Sequence, residues 1–234
     1  MCSSDLVMKF NHVELDLPRL ERDTIDGVRY YNVPGETDLI KLVSITSVIS
    51  HFNKDFFASW RKKVGDVEAD KITRMATARG TDTHTLIEQY LRNMDCNSDV
   101  LPISEMLFQV SVPELKRINN IYALEGSLYS KYLGIAGTVD CIAEHDGELS
   151  IIDFKTSKKP KPKEWIEHYF VQCAAYACML HELTGLSVKK FVIIMTCETG
   201  ECVIYEERNK EKYIRLLTQY IKKFVTDKLS SLDK

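Results

Sequence analysis

Two neighbouring apolar runs, Val139 to Ala143 and Leu149 to Phe154, each broken by an aspartate, flank His145-Asp146-Gly147. Asp-Gly between apolar runs is a strong hairpin signal, so the two runs are expected to pair as antiparallel strands. That pairing puts Asp140 and Asp153 near the same end of the ladder. A strand turns residues i and i+2 to one face, so Asp153 and Lys155 share a face while Ile152 and Phe154 take the other. The pattern therefore draws two carboxylates and an amine together.

Elsewhere the pattern predicts a mixture of elements. Val7 to Phe10 and Thr24 to Val33 read as extended, the second with a tight turn at Asp26-Gly27 and closed by Pro34-Gly35. A helix opens at Ser44 to Ile49, where hydroxyl residues offer caps, and another runs from Asp55 to Val64. Trp60 in the latter is expected in the core because of its bulk, with DNA stacking as the alternative. Asp66 to Asn93 reads as one long helix, with Gly80 its candidate point of interruption and Met75, Ile87 and Leu91 on its apolar stripe. A loop and a helix from Ser104 towards Ile118 follow, then an extended segment, Ile121 to Gly126. Beyond the hairpin come a helix from Glu164 to Glu182, strands Val188 to Met195 and Glu201 to Tyr205, and a closing helix from Asn209 to Asp227.

At 234 residues a single domain is the default, divided as 1–120 (hairpin and helical region), 121–207 (sheet and helix) and 208–234 (closing helix). The net charge of −3 gives no global basic character, so a polyanionic partner would need a local basic track. One candidate exists. From Lys155 to Lys163 the chain holds five lysines in nine residues, and its prolines keep the run extended. Thr156, Ser157, Lys158, Lys159, Lys161 and Lys163 are thus candidate phosphate contacts, the alternative being a solvated loop.

Seven cysteines without a C-x-x-C pair or a preceding secretory signal read as reduced thiols of an intracellular protein. Cys141, Cys173 and Cys178 are expected on buried apolar faces. Cys197 and Cys202 have no third cysteine nearby, so no iron–sulfur cluster is expected. No apolar run approaches the roughly 18 residues of a membrane helix, and a soluble protein is expected.

Two carboxylates a few Å apart repel one another unless a cation neutralises them, and oxygen ligands select a hard divalent ion, Mg2+ or Mn2+. His84 lies one helical turn beyond Gly80, whose missing side chain leaves room for close approach of a backbone or a nucleic acid. That glycine favours a metal-ligand reading of His84 over a surface polar one. Gln172 and Tyr176 are i, i+4 neighbours on one helix face.

The arrangement Asp140, Asp153, x, Lys155 on a hairpin, with Gly137-Thr138-Val139-Asp140 leading in and Gln172-x-x-x-Tyr176 following, resembles the RecB-like branch of the PD-(D/E)xK nuclease superfamily. Within that branch it is most similar to the family of the mitochondrial genome maintenance exonuclease and its phage and bacterial relatives. The resemblance implies a restriction-endonuclease-like core, a small mixed sheet flanked by helices, with an N-terminal helical region. It implies metal-dependent hydrolysis of DNA, with single-stranded ends or flaps as substrate. Asp140, Asp153, the Phe154 carbonyl and His84 would hold Mg2+ or Mn2+, and Lys155, Gln172 and Tyr176 would complete the catalytic group. Glu125, where many RecB-like proteins carry an acid, is either close to the metal or a plain edge-strand glutamate. Alternatives are a nuclease acting on RNA and a non-catalytic DNA-end-binding or host-interaction protein of the same fold. Replication or recombination proteins are candidate partners, and no membrane is expected. A phage origin would place the protein in a bacterial cytoplasm, and no transit peptide points to the mitochondrial matrix.

Overall fold

The computed structural model describes residues 9–96 and 99–232. The predicted Val7 to Phe10 segment therefore lies partly outside the described residues, as does Cys2. The chain folds around an eight-stranded mixed sheet. Its strands are β1 (Glu21–Ile25), β2 (Val28–Pro34), β3 (Leu39–Ser44), β4 (Ile118–Ser130), β5 (Ile135–His145), β6 (Glu148–Ser157), β7 (Lys190–Cys197) and β8 (Cys202–Glu207). The order is β1-β2-β3-β5-β6-β7-β8, with β4 also paired to β5.

The hairpin is β5–β6, turned at Asp146-Gly147, both with positive φ as a tight two-residue turn requires. The parallel pair β6–β7 is bridged by α5 (Glu167–Thr184), the kind of crossover that parallel strands need. The sheet is larger than expected because β3, which no alternation in the sequence announces, pairs in parallel with β5 at Val43↔Ile135 and Ser44↔Ala136. This carries β1 and β2 into the same sheet. The N-terminal part is thus a three-stranded meander before it is helical.

Two helical layers cover the sheet. On one face α1 (Ile45–Phe52), α5 and α6 (Lys210–Leu232) pack through Val48, Phe170, Met179 and Leu217 onto Ile151, Phe191 and Ile193. On the other, α3 (Asp66–Leu91) and α4 (Pro102–Leu115) pack through Ile87, Leu91 and Phe108 onto Ile152, Phe154 and Val192. Ile151 and Ile152 thus serve opposite cores, which fixes β6 in register, because a one-residue slip would exchange the faces. The Ser44 hydroxyl accepts from the Thr46 amide and caps α1.

Three expectations about burial are corrected. No residue of α2 (Lys54–Val64) is buried, and Trp60 is only half-buried, because α2 packs on other helices near the surface instead of on the sheet. Met75 is exposed, since Ala69 is the one buried residue of α3 before Arg79. Cys178 is half-buried, whereas Cys141 and Cys173 are fully enclosed. The helix α3 runs through Gly80 without interruption.

Candidate metal-dependent active site

The site forms where two paired strands separate. The β5–β6 ladder covers His145 to Cys141 against Glu148 to Ile152, and beyond it β5 takes β3 as its neighbour at Ala136 and Ile135. Asp140 and Asp153 are the next residues past the last pair. The Asp140 carboxylate spans the opening, its Oδ2 accepting from the Phe154 amide at 2.9 Å. A side chain there supplies what the ladder no longer does.

A second irregularity faces it. The register that pairs Leu124 with Cys141 and Gly126 with Val139 sets Glu125 opposite Asp140. Glu125 has φ of 50°, a left-handed backbone rarely adopted by glutamate. On both strands the alternation breaks here. Leu124 and Cys141 face the α3/α4 core, whereas Leu128 and Val139 face the α1/α5/α6 core. One ligand atom each from Glu125, Asp140 and His84 come within 4.8 Å of one another.

Asp153 is fully buried, on the α5 face of β6 with Lys155. Its Oδ2 pairs with Lys155 Nζ at 2.5 Å, and its Oδ1 has no hydrogen-bond partner among the described residues. Burial pushes the Asp153 carboxyl up to about 6, Lys155 opposing and Asp140 adding to the rise. Burial also works against the Lys155 ammonium, but Asp153 and Asp140 outweigh it and hold its pKa above the usual lysine range. Desolvation, with Asp140 and Glu88, pushes Glu125 up to about 7, although its outer surface is exposed.

His84 Nε2 donates to the Phe154 carbonyl at 2.8 Å, and that carbonyl can only accept, so Nε2 carries the proton. In the neutral ring the Nδ1 lone pair then faces Asp140 Oδ2 at 3.8 Å. His84 Nδ1 and the carboxylates of Asp140 and Glu125, gathered within 4.8 Å, leave a place suited to a cation. The donor set of carboxylate oxygens with one imidazole suits a hard divalent ion. The residues therefore fit the divalent metal that PD-(D/E)XK nucleases generally use. His84, Glu125 and Asp140 are the group whose ligand atoms converge and could hold it; Asp153 lies outside that group, paired with Lys155, and the Phe154 carbonyl keeps one lone pair free.

Helix α5 closes the rear of the site. Gln172 Nε2 donates to Tyr176 Oη at 3.1 Å, and the buried Tyr176 lies against β5 at Gly137. A Cβ at Gly137 would come 2.9 Å from Tyr176 Cε1 and 3.1 Å from Ile45 Cγ2, so only glycine lets the phenol lie there. Gly80 is different. A Cβ there would meet only Thr156 Oγ1 at 3.8 Å, ordinary contact, so no backbone crowds that glycine.

Of the lysine run, Lys158 and Lys159 are exposed and Lys161 is half-buried. Lys163 is engaged within the protein, donating to the Glu206 carbonyl at 2.8 Å. Ser157 is buried and donates to the Lys159 carbonyl at 2.9 Å, holding the turn. Thr156 Oγ1 accepts from Arg79 Nε at 3.4 Å, and Arg79 also pairs with Glu198, tying α3 to the β7–β8 turn.

Sequence reasoning missed Tyr169 and the Arg79–Glu198 tie. The Tyr169 ring lies 5.0 Å from Lys155 Nζ, a cation–π contact that helps hold the ammonium. Its signal was present, since Tyr169, Gln172 and Tyr176 recur at i, i+3 and i+7 on one helix face.

The raised carboxyls carry a pH prediction. A cation needs them ionised, and protons compete for them up to about pH 6–7. Mn2+ affinity, measured by titration calorimetry, is expected to be full near about pH 8 and to fall steadily towards about pH 5. An affinity flat across that range would remove Asp153 and Glu125 from the metal site.

A family model described as the PD-(D/E)XK nuclease superfamily matches residues 103–231. Mitochondrial genome maintenance exonuclease 1 of Xenopus tropicalis is 30% identical over 180 residues, covering 71% of this chain and 51% of that protein. The Homo sapiens protein of that name is 38% identical over 76 residues, 31% of this chain and 22% of its own length. The Mus musculus one is 46% identical over 48 residues, 20% and 14%. The chain thus spans about half the length, at most, of these relatives. The family match takes in the strands that carry Glu125, Asp140, Asp153 and Lys155 and the helix that carries Gln172 and Tyr176, and by it this chain belongs to the PD-(D/E)XK nuclease superfamily.

Proposed function

We propose that the protein is a metal-dependent deoxyribonuclease that hydrolyses phosphodiester bonds in single-stranded DNA from a free end. The observation that carries this reading is the Asp140–Asp153–Lys155 group at the fork of β5 and β6, with His84 and Glu125 converging on Asp140. Bound there, a divalent ion would supply Lewis-acid polarisation of water and of the scissile phosphate. Asp140 and Asp153 contribute the negative charge that holds it. His84, its Nε2 fixed on the Phe154 carbonyl, presents Nδ1 on the same side.

Lys155 acts as a fixed cation in this scheme, its ammonium held by Asp153 at 2.5 Å. Its ammonium faces where charge builds on the phosphate oxygens in the pentavalent transition state, and a prepositioned charge there lowers the barrier without reorganising. Tyr176 packs behind β5 at Gly137, and Gln172 donates to its hydroxyl. The exposed Lys158 and Lys159 supply a narrow positive track on an otherwise slightly acidic protein, which suits one strand more than a broad duplex face.

The test uses end-labelled linear and circular single-stranded DNA of one sequence, with Mg2+ and with chelator. Linear strands are expected to be degraded in Mg2+, circles spared, and both left intact in chelator. Efficient cutting of circles would refute action from a free end, and chelator-resistant cleavage would refute metal dependence.

A further inference from the structure

Phe56 and Phe57 on α2 and Trp165 on the short 3-10 turn Lys163–Ile166 are 71%, 53% and 70% exposed. They are not scattered. Together with Lys161, His168 and Tyr169 they line one cleft of about 520 Å³, the size range of a small-ligand site. Since no residue of α2 is buried, these rings contribute little to the core, and a contiguous exposed aromatic patch marks an interaction site.

The position of the cleft says what it meets. Tyr169 belongs both to its lining and to the active site, with Lys155 Nζ 5.0 Å and Lys161 Nζ 5.7 Å from the ring. The cleft therefore adjoins Lys155 through a shared ring. Burial, with Lys161 and Lys155, pushes His168 down to about 4, so its ring is neutral at ordinary pH and adds a flat surface without charge. Aromatic faces beside lysines are the two ingredients of single-strand recognition, stacking for bases and charge for phosphates. Bases in the interior of a duplex already have both faces covered by neighbours and cannot use such a cleft. A protein seated here would cover Tyr169 and obstruct the approach to Lys155.

We propose that this cleft is a base-stacking subsite, in which unpaired nucleobases of the strand being cut lie against Phe56, Phe57 and Trp165 while Lys161 holds an adjoining phosphate. The inference rests on the nuclease reading and assigns that site its selection of unpaired strand.

The test compares two probes in chelator, where turnover is absent. One is a short oligothymidylate, the other an oligomer of equal length made wholly of abasic sites, with the same phosphates and no bases. The protein is expected to bind the first more tightly. Phe56→Ala and Trp165→Ala, both at exposed positions, are each expected to weaken oligothymidylate binding about tenfold and leave abasic binding unchanged. Trp165→Phe should restore most of the loss, and the salt dependence should stay as it was because the lysine contacts remain. Equal binding of the two probes, binding of neither, or variants that change both or neither would overturn the subsite and leave the cleft to another partner. Cleavage of the same oligothymidylate in Mg2+ is scored separately, so failure of the nuclease reading and failure of the stacking subsite are told apart.

Discussion

Replacing Lys155 with alanine is expected to lower the rate of strand cleavage by about a hundred- to a thousandfold, the usual cost of losing one prepositioned charge at a reacting centre. The ammonium lies 2.5 Å from Asp153, and no other lysine or arginine among the described residues pairs with that carboxylate. Metal affinity should be retained or rise, since removing a competing cation frees Asp153 Oδ2. The metal-free protein should lose stability, because a fully buried carboxylate is left without its counter-charge. Cleavage rate and Mn2+ affinity measured on the same variant check this. Activity surviving within about tenfold, or about 1.4 kcal/mol of barrier, would remove Lys155 from the chemistry.

Asp140 is expected to give a split result. Asp140→Asn keeps an oxygen that can accept from the Phe154 amide but removes the charge, so stability should change little while metal binding and cleavage collapse, cleavage by more than about a hundredfold. Asp140→Ala removes both and orphans a partly buried amide, adding a loss of about 1–3 kcal/mol. Denaturant titrations of the two variants, set beside Mn2+ titrations, separate the roles. Equal stability of Asn and Ala variants would mean that the carboxylate does not support the fork.

Local chemistry made the β5–β6 hairpin legible. Asp146-Gly147 sets the turn, the two-residue period puts Asp153 and Lys155 on one face, and the count from the turn brings Asp140 to the same end as Asp153. The helical period likewise sets Gln172 one turn from Tyr176, which hydrogen-bond. These depend on contacts between residues close in sequence, which side-chain periodicity records directly. The same limits explain the errors over Trp60 and Met75. An apolar residue at helical spacing marks a stripe, but what covers that stripe is chosen elsewhere in the chain.

By itself, then, the sequence determined the hairpin, the placing of Asp140, Asp153 and Lys155 at one end of it, and the helix behind them. Only the tertiary structure decided that β5 leaves β6 for β3 at Ala136, which opens the fork that Asp140 spans. It alone decided the left-handed turn at Glu125 that aims a third carboxylate at Asp140, and the gathering of Phe56, Phe57, Trp165 and Tyr169 into one cleft. The reason is physical. Strand pairing across about ninety residues, a positive φ on an ordinary side chain and the packing of one helix beside another are set by long-range contacts whose cost is met only in the whole fold, and none leaves a periodic trace in the chain.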